Sequence, residues 1–233
     1  QNRLVLPANS TWRYQKGRSE AASPTSAWRE PAFDDTAWPQ GALPIGYDPD
    51  IRFGTPLDDM RVDGVAQYIT IFLRCRFTVA DAGSVRKLAL EALYDDGFKL
   101  WVNGRLLLSQ NIAAGEVPFD QDALSTRESN NYERFDIDVP PGVLREGENV
   151  LCVQLANGNQ GTSSDCFFDC RLSTVSGPAG RGPTPGATNS VYAVTAPPAV
   201  RQIRHVPAQP RAGEPVVVTA RVTDPEGVGS VVL

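Results

Sequence analysis

One histidine and one methionine occur in 233 residues. That histidine, His205, stands between Arg204 and Val206, far from the best-patterned stretch, so neither a Ser-His-Asp nor a Cys-His arrangement can be assembled there. His205 reads as a surface residue. No GxSxG, HExxH, CxxC or phosphate-cradling glycine loop is present. Apolar runs fall well short of the ~18 residues of a membrane-crossing helix, and no signal-like apolar region is seen. Membrane insertion is therefore not expected. Basic residues are also few, 22 against 27 acidic, for a net charge of −5. Residues 1–175 carry 17 basic and 24 acidic groups, with no basic stripe of the kind phosphate binding requires, so nucleic acid is not an expected partner.

Helical periodicity is missing too, and what replaces it before residue 175 is period-two alternation. In YITIFLRCRFTV, residues 68–79, Ile69, Ile71, Leu73, Cys75, Phe77 and Val79 share one face, which predicts a central core strand. Residues 88–108, LALEALYDDGFKLWVNGRLLL, read as three antiparallel strands joined by turns at Asp95-Asp96-Gly97 and Asn103-Gly104. Phe98, Leu100 and Val102 face inward there, with Lys99 and Trp101 outward. This pattern predicts Asp95 and Asp96 as solvated acids on an exposed hairpin tip. Phe135, Ile137 and Val139 mark another strand; VLCVQLAN turns Cys152 away from the core, and residues 165–172 close the set. Seven or more strands with long connections predict an all-β, two-sheet sandwich of jelly-roll type.

The connections carry their own expectations. Trp28, Phe33 and Trp38 lie in an irregular stretch and read as plugs for one end of the sandwich, held by Asx turns at Asp34 and Asp35. Residues 41–64 form a long Gly-, Pro- and Asp-rich loop, and 110–131 a polar one anchored by Pro118 and Phe119. No cofactor is expected. Structural calcium is the sharper alternative, at Asp34 and Asp35 or among Asp48, Asp50, Asp58 and Asp59, although these depart from the EF-hand spacing. Cys75, Cys152, Cys166 and Cys170 permit three full pairings. Without histidine beside them they read as buried thiols or cross-strand disulfides rather than metal ligands.

Residues 177–198 are a Pro/Gly-rich linker, and 199–233 give the opening strands of an Ig-like sandwich, so the chain reads as 1–176, linker, and a partial second domain. Because it starts at Gln1 and ends within a strand-like run, it reads as a piece of a longer protein.

The runs FDDTAW, LPIGYD, FLRCRF, YDDGFKLWVNGRLLL, GENVLCVQLAN and SSDCFFDCRL, spread in order over residues 10–173, resemble the galactose-binding-like jelly-roll module. Such modules occur in large secreted multidomain proteins of planctomycete and verrucomicrobial type, beside lamin-tail and CotH-kinase-like domains, and are related to sugar-binding domains of glycoside hydrolases. Cys152, Cys166 and Cys170 depart from the family's small or aliphatic residues, and Ala156 or Asn157 replaces its usual histidine. The resemblance implies an extracellular or cell-surface location and a glycan or cell-surface polysaccharide as partner, alongside neighbouring domains of the parent chain.

Sugar recognition asks for an aromatic plate and planar polar groups. Asp95, Asp96, Trp101, Asn103, Asn157 and Asn159 supply both and are the candidate ligand-binding residues. Trp101 either meets ligand or fills the opposite sheet or a loop interface. No catalytic residue is assigned. Two closely opposed, water-shielded acids in a deep cleft would overturn this noncatalytic reading.

Overall fold

The computed structural model describes residues 2–48, 52–128, 131–158, 164–176, 199–207, 209–210, 212–213 and 215–223. The chain divides into two compact units, Gln1–Pro178 and Ala179–Leu233. The expected linker, 177–198, lies outside the described residues.

In chain order the strands of the first unit are β1 (Asn2–Leu6), β2 (Thr11–Lys16), β3 (Gln40–Ala42), β4 (Ile45–Tyr47), β5 (Thr55–Pro56), β6 (Arg61–Val62) and β7 (Val65–Ala66). There follow β8 (Thr70–Val79), β9 (Val85–Asp95), β10 (Gly97–Val102), β11 (Arg105–Gln110), β12 (Glu133–Asp138), β13 (Gly147–Ala156) and β14 (Cys166–Ser176). One sheet runs β12-β9-β14-β4-β5, with β1 also on β14; the other runs β11-β10-β13-β8-β2-β3. Among the described residues there are 3-10 turns but no α-helix. From β8 to β14 the chain passes back and forth between the sheets, and the result is the all-β sandwich that the alternation predicts.

The period of two explains how both faces of the second sheet are covered. Ile71, Leu73, Leu100, Leu151 and Val153 point inward and meet Leu88, Leu90, Phe168 and Leu172 of the other sheet. Their neighbours Phe72, Trp101, Val150 and Cys152 point outward, where they are buried under Trp28 and Trp38. The plug thus covers a sheet face, and the expectation that it closes an end is corrected. Trp28 packs edge-on to Phe72 at 5.2 Å and to Trp101 at 5.6 Å. Arg74, buried on the same face, fastens the plug by donating from Nε to Asp35 Oδ2 at 2.8 Å and from Nη1 to the Trp28 carbonyl.

Of the two acids expected in turns, Asp34 makes the Asx turn, accepting from Thr36 N at 3.0 Å and Oγ1 at 2.6 Å. Asp35 is the partner of Arg74 instead, because an outward arginine on a covered sheet face needs a buried counter-charge. Residues 110–131 have more anchors than Pro118 and Phe119: Ile112, Val117 and Ala123 pack with Ala156 in a small third cluster. All four cysteines are buried free thiols.

In the second unit, β15 (Ala199–Val206) and β16 (Val217–Thr223) form an antiparallel pair. His205 is exposed there, as its setting predicts.

Candidate functional site

The stretch read as a meander of three strands contains one hairpin and one crossing. Asn103 and Gly104, at φ 49° and 82°, form the β10–β11 hairpin. By contrast, β9 pairs with β14 and β12, whereas β10 pairs with β11 and β13. Asp95-Asp96-Gly97 therefore carries the chain from one sheet to the other. Gly97 is needed here for close approach, since a Cβ would lie 2.4 Å from the Asn111 carbonyl oxygen.

Asp95 and Asp96 are fully buried, each 0% exposed, which corrects the expected solvated tip. Loops on either side wall the crossing in, and alternation within a strand carries no information about them. Asp96 is well provided for. Its Oδ2 accepts from Gly158 N at 2.5 Å, and its Oδ1 from Arg127 N. Asp95 differs: neither carboxylate oxygen meets a hydrogen-bond donor among the described residues, and the side chain it could share a proton with is another acid, Asp96.

What Asp95 does meet is negative charge. One carboxylate oxygen each of Asp95, Glu128 and Asp165 lie within 4.8 Å of one another. Asp165, next to the start of β14, is buried and accepts from Ser164 Oγ at 3.1 Å, whereas Glu128 is exposed. Burial pushes the Asp95 carboxyl up to about 9, and the charges of Asp96, Asp165 and Glu128 push the same way. Asp165 is also raised, first by burial and then by Glu128, with the Ser164 hydrogen bond opposing. Oxygen-only donors suit a hard cation such as Ca²⁺ or Mg²⁺ rather than zinc.

Two opposed acids are also what a glycosidase requires. Here, however, Asp95 presents no surface to a substrate. The cavities of about 660, 570, 420, 400 and 100 Å³ are all lined by other residues. A single ion fits this arrangement better than a glycosidic bond.

The second feature lies on the other sheet, beside the β10–β11 hairpin. A cavity of about 660 Å³ is lined by Trp101, Arg29, Arg105, Glu116 and Ser26 among others. Trp101 is only 4% exposed, and the Arg29 guanidinium covers its ring at 4.2 Å. Arg29 is held in turn by Glu116 through a bidentate pair of 2.8 and 2.6 Å. Trp101 therefore does fill a loop interface, with its outer boundary in a polar recess. Below it, buried Lys99 donates to the Gly115 carbonyl, and burial lowers its pKa.

The remaining candidates do not converge on either place in one cluster. Asn103 donates to the Val143 carbonyl and to Asn149 Oδ1, both at 2.8 Å, and accepts from Val150 N at 2.9 Å, so its side chain is committed to the hairpin. Asn157 is buried beside Gly158, and its Oδ1 meets no donor among the described residues. Asn159 lies outside the described residues. Sequence reasoning missed Glu128 and Asp165, which are distant from Asp95 in the chain and carry no spacing signal. It missed Arg29, Arg105 and Glu116 for the same reason.

No protein-family model matches the chain, and no curated protein matches it. Solved structures similar to it include β-glucuronidase 2 of Bacteroides uniformis, at 20% identity and TM-score 0.48, covering 76% of this chain and 18% of that one. A glycosyl hydrolase family 2 member from Bacteroides cellulosilyticus has 17% identity and TM-score 0.45, covering 75% and 21%. A β-glucuronidase of an uncultured Clostridium has 14% identity and TM-score 0.44, covering 97% and 34%. The chain thus spans about a fifth to a third of the length of these enzymes.

Proposed function

We propose that residues 1–176 are a noncatalytic carbohydrate- or cell-surface-binding module of a larger extracellular multidomain protein, with 199–233 opening an Ig-like domain. The observation that carries this reading is the recess beside the β10–β11 hairpin. It brings an indole, two guanidiniums and a carboxylate to one concavity of about 660 Å³, a size and donor set suited to a sugar's hydroxyls. The motifs of the galactose-binding-like module point the same way. Arg29, with its fork locked by Glu116 and stacked on Trp101, is already ordered, which limits the entropy lost on binding. Beside a catalytic domain the same module would act as an accessory that tethers it to polysaccharide.

The test is affinity electrophoresis of the full chain through gels containing acidic or neutral polysaccharides. Arg105 is exposed, and Arg105→Ala is chosen because it leaves the plug intact. Retardation of the wild type on at least one polysaccharide, reduced several-fold in Arg105→Ala, is the expected result. Equal mobility in every gel, or equal retardation of both proteins, would overturn the proposal.

A further inference from the structure

We propose that Asp95, Asp165 and Glu128 bind one hard divalent cation of the calcium class, fastening the crossing between the two sheets to the loops beside it. The inference goes beyond the glycan reading and does not depend on it. Its starting point is Asp95, a carboxylate with no exposed surface and with neither oxygen meeting a donor among the described residues. Leaving an ionised carboxylate in that state is strongly unfavourable. Native interiors avoid this by supplying a counter-charge or by keeping the group protonated.

Two observations favour a cation over a proton alone. First, the groups whose charge acts on Asp95 are Asp96, Asp165 and Glu128, all acids. Two of them, Asp165 and Glu128, each bring a carboxylate oxygen within 4.8 Å of Asp95 and of each other, and a proton on Asp95 leaves the repulsion between Asp165 and Glu128 in place. Second, the cluster has both a wall and a door. Asp95 and Asp165 are buried while Glu128 is exposed, so an ion can enter and keep water on its open side. Asp96 is occupied with the Arg127 and Gly158 amides, and this places residue 128, next in the chain to Arg127, against the crossing.

The choice of calcium follows from ligand chemistry. All three ligands are carboxylates, which present up to six oxygens and no nitrogen or sulfur. Oxygens around Ca²⁺ sit at about 2.3–2.6 Å in loose arrangements of about six to eight, so ligands on opposite sides of the ion are about 4.8 Å apart. Magnesium demands a tighter and more regular octahedron than an exposed loop glutamate provides. Of the acids expected from sequence to hold calcium, Asp59 binds Lys16, Arg18 and Tyr68, Asp35 pairs with Arg74 and Asp34 makes its Asx turn, while Asp50 lies outside the described residues.

The experiment uses the full chain, stripped with EDTA and titrated calorimetrically with CaCl₂ alone and, separately, with MgCl₂ alone, with thermal unfolding recorded alongside. The expected result is one Ca²⁺ per chain and an unfolding midpoint raised by several degrees in millimolar Ca²⁺. Glu128→Gln, at an exposed position, should fold normally and bind Ca²⁺ at least about tenfold more weakly. Asp95→Asn should lose the calcium response, yet in EDTA it should unfold no earlier than the wild type, because a buried amide needs no counter-ion. Neither ion binding the wild type at millimolar concentration would overturn the proposal. So would preference for Mg²⁺, or Ca²⁺ binding that both variants leave unchanged.

Discussion

At the scale of single residues, the buried acids decide how this molecule responds to its medium. Asp169 is an example away from the crossing: it points outward from β14, is 4% exposed and accepts a hydrogen bond from the Tyr132 hydroxyl. Burial is the largest effect on it and raises its pKa above the ordinary 3.8, against the Tyr132 hydrogen bond. The folded chain therefore holds this proton more tightly than the unfolded chain. Its contribution to stability is complete below 3.8 and is lost as pH rises through the raised value. Asp169→Asn is expected to flatten the decline in urea midpoint above pH ~4, the unfolded-state value of an aspartate. Parallel midpoint curves for the two proteins would contradict that assignment. Such residues are hard to read from sequence. Asp169 sits where alternation puts an outward, solvated acid, and only the loop carrying Tyr132 makes the position an interior one.

Among the elements, strands were legible and crossings were not. FLRCRF alternates because the two faces of β8 meet different surroundings, the inner face the opposing sheet and the outer face the tryptophan plug at Phe72 and solvent at Arg76. Asn103-Gly104 was legible because a two-residue hairpin has a backbone requirement that few residues meet. Asp95-Asp96-Gly97 has the composition of a turn whether the chain folds back within a sheet or passes to the next. Only the distant partners β13 and β14 distinguish the two cases. The plug makes a further claim at this scale. Trp28 is 1% exposed and touches Phe72, Trp38 and Trp101, so Trp28→Ala should destabilise the first unit by about 3–5 kcal/mol and red-shift the remaining tryptophan emission. Urea unfolding followed by fluorescence checks this; a loss below about 1 kcal/mol, well short of a buried-aromatic truncation, would show that the plug is not part of the cooperative core.

For the whole molecule, the architecture separates two kinds of polar site. The crossing buries its acids away from the described cavities, whereas the recess beside β10 and β11 is a concavity lined by charged side chains over a largely covered indole. The proposed account is that the recess grips polysaccharide and that the buried acids of the crossing take no part in cleaving it. Its most direct test is incubation of the full chain with a polysaccharide that retards it, measuring bound protein and newly formed reducing ends in the same sample. The expected result is retention with no release of reducing ends above a protein-free control. Release that disappears in Asp165→Asn would contradict the account.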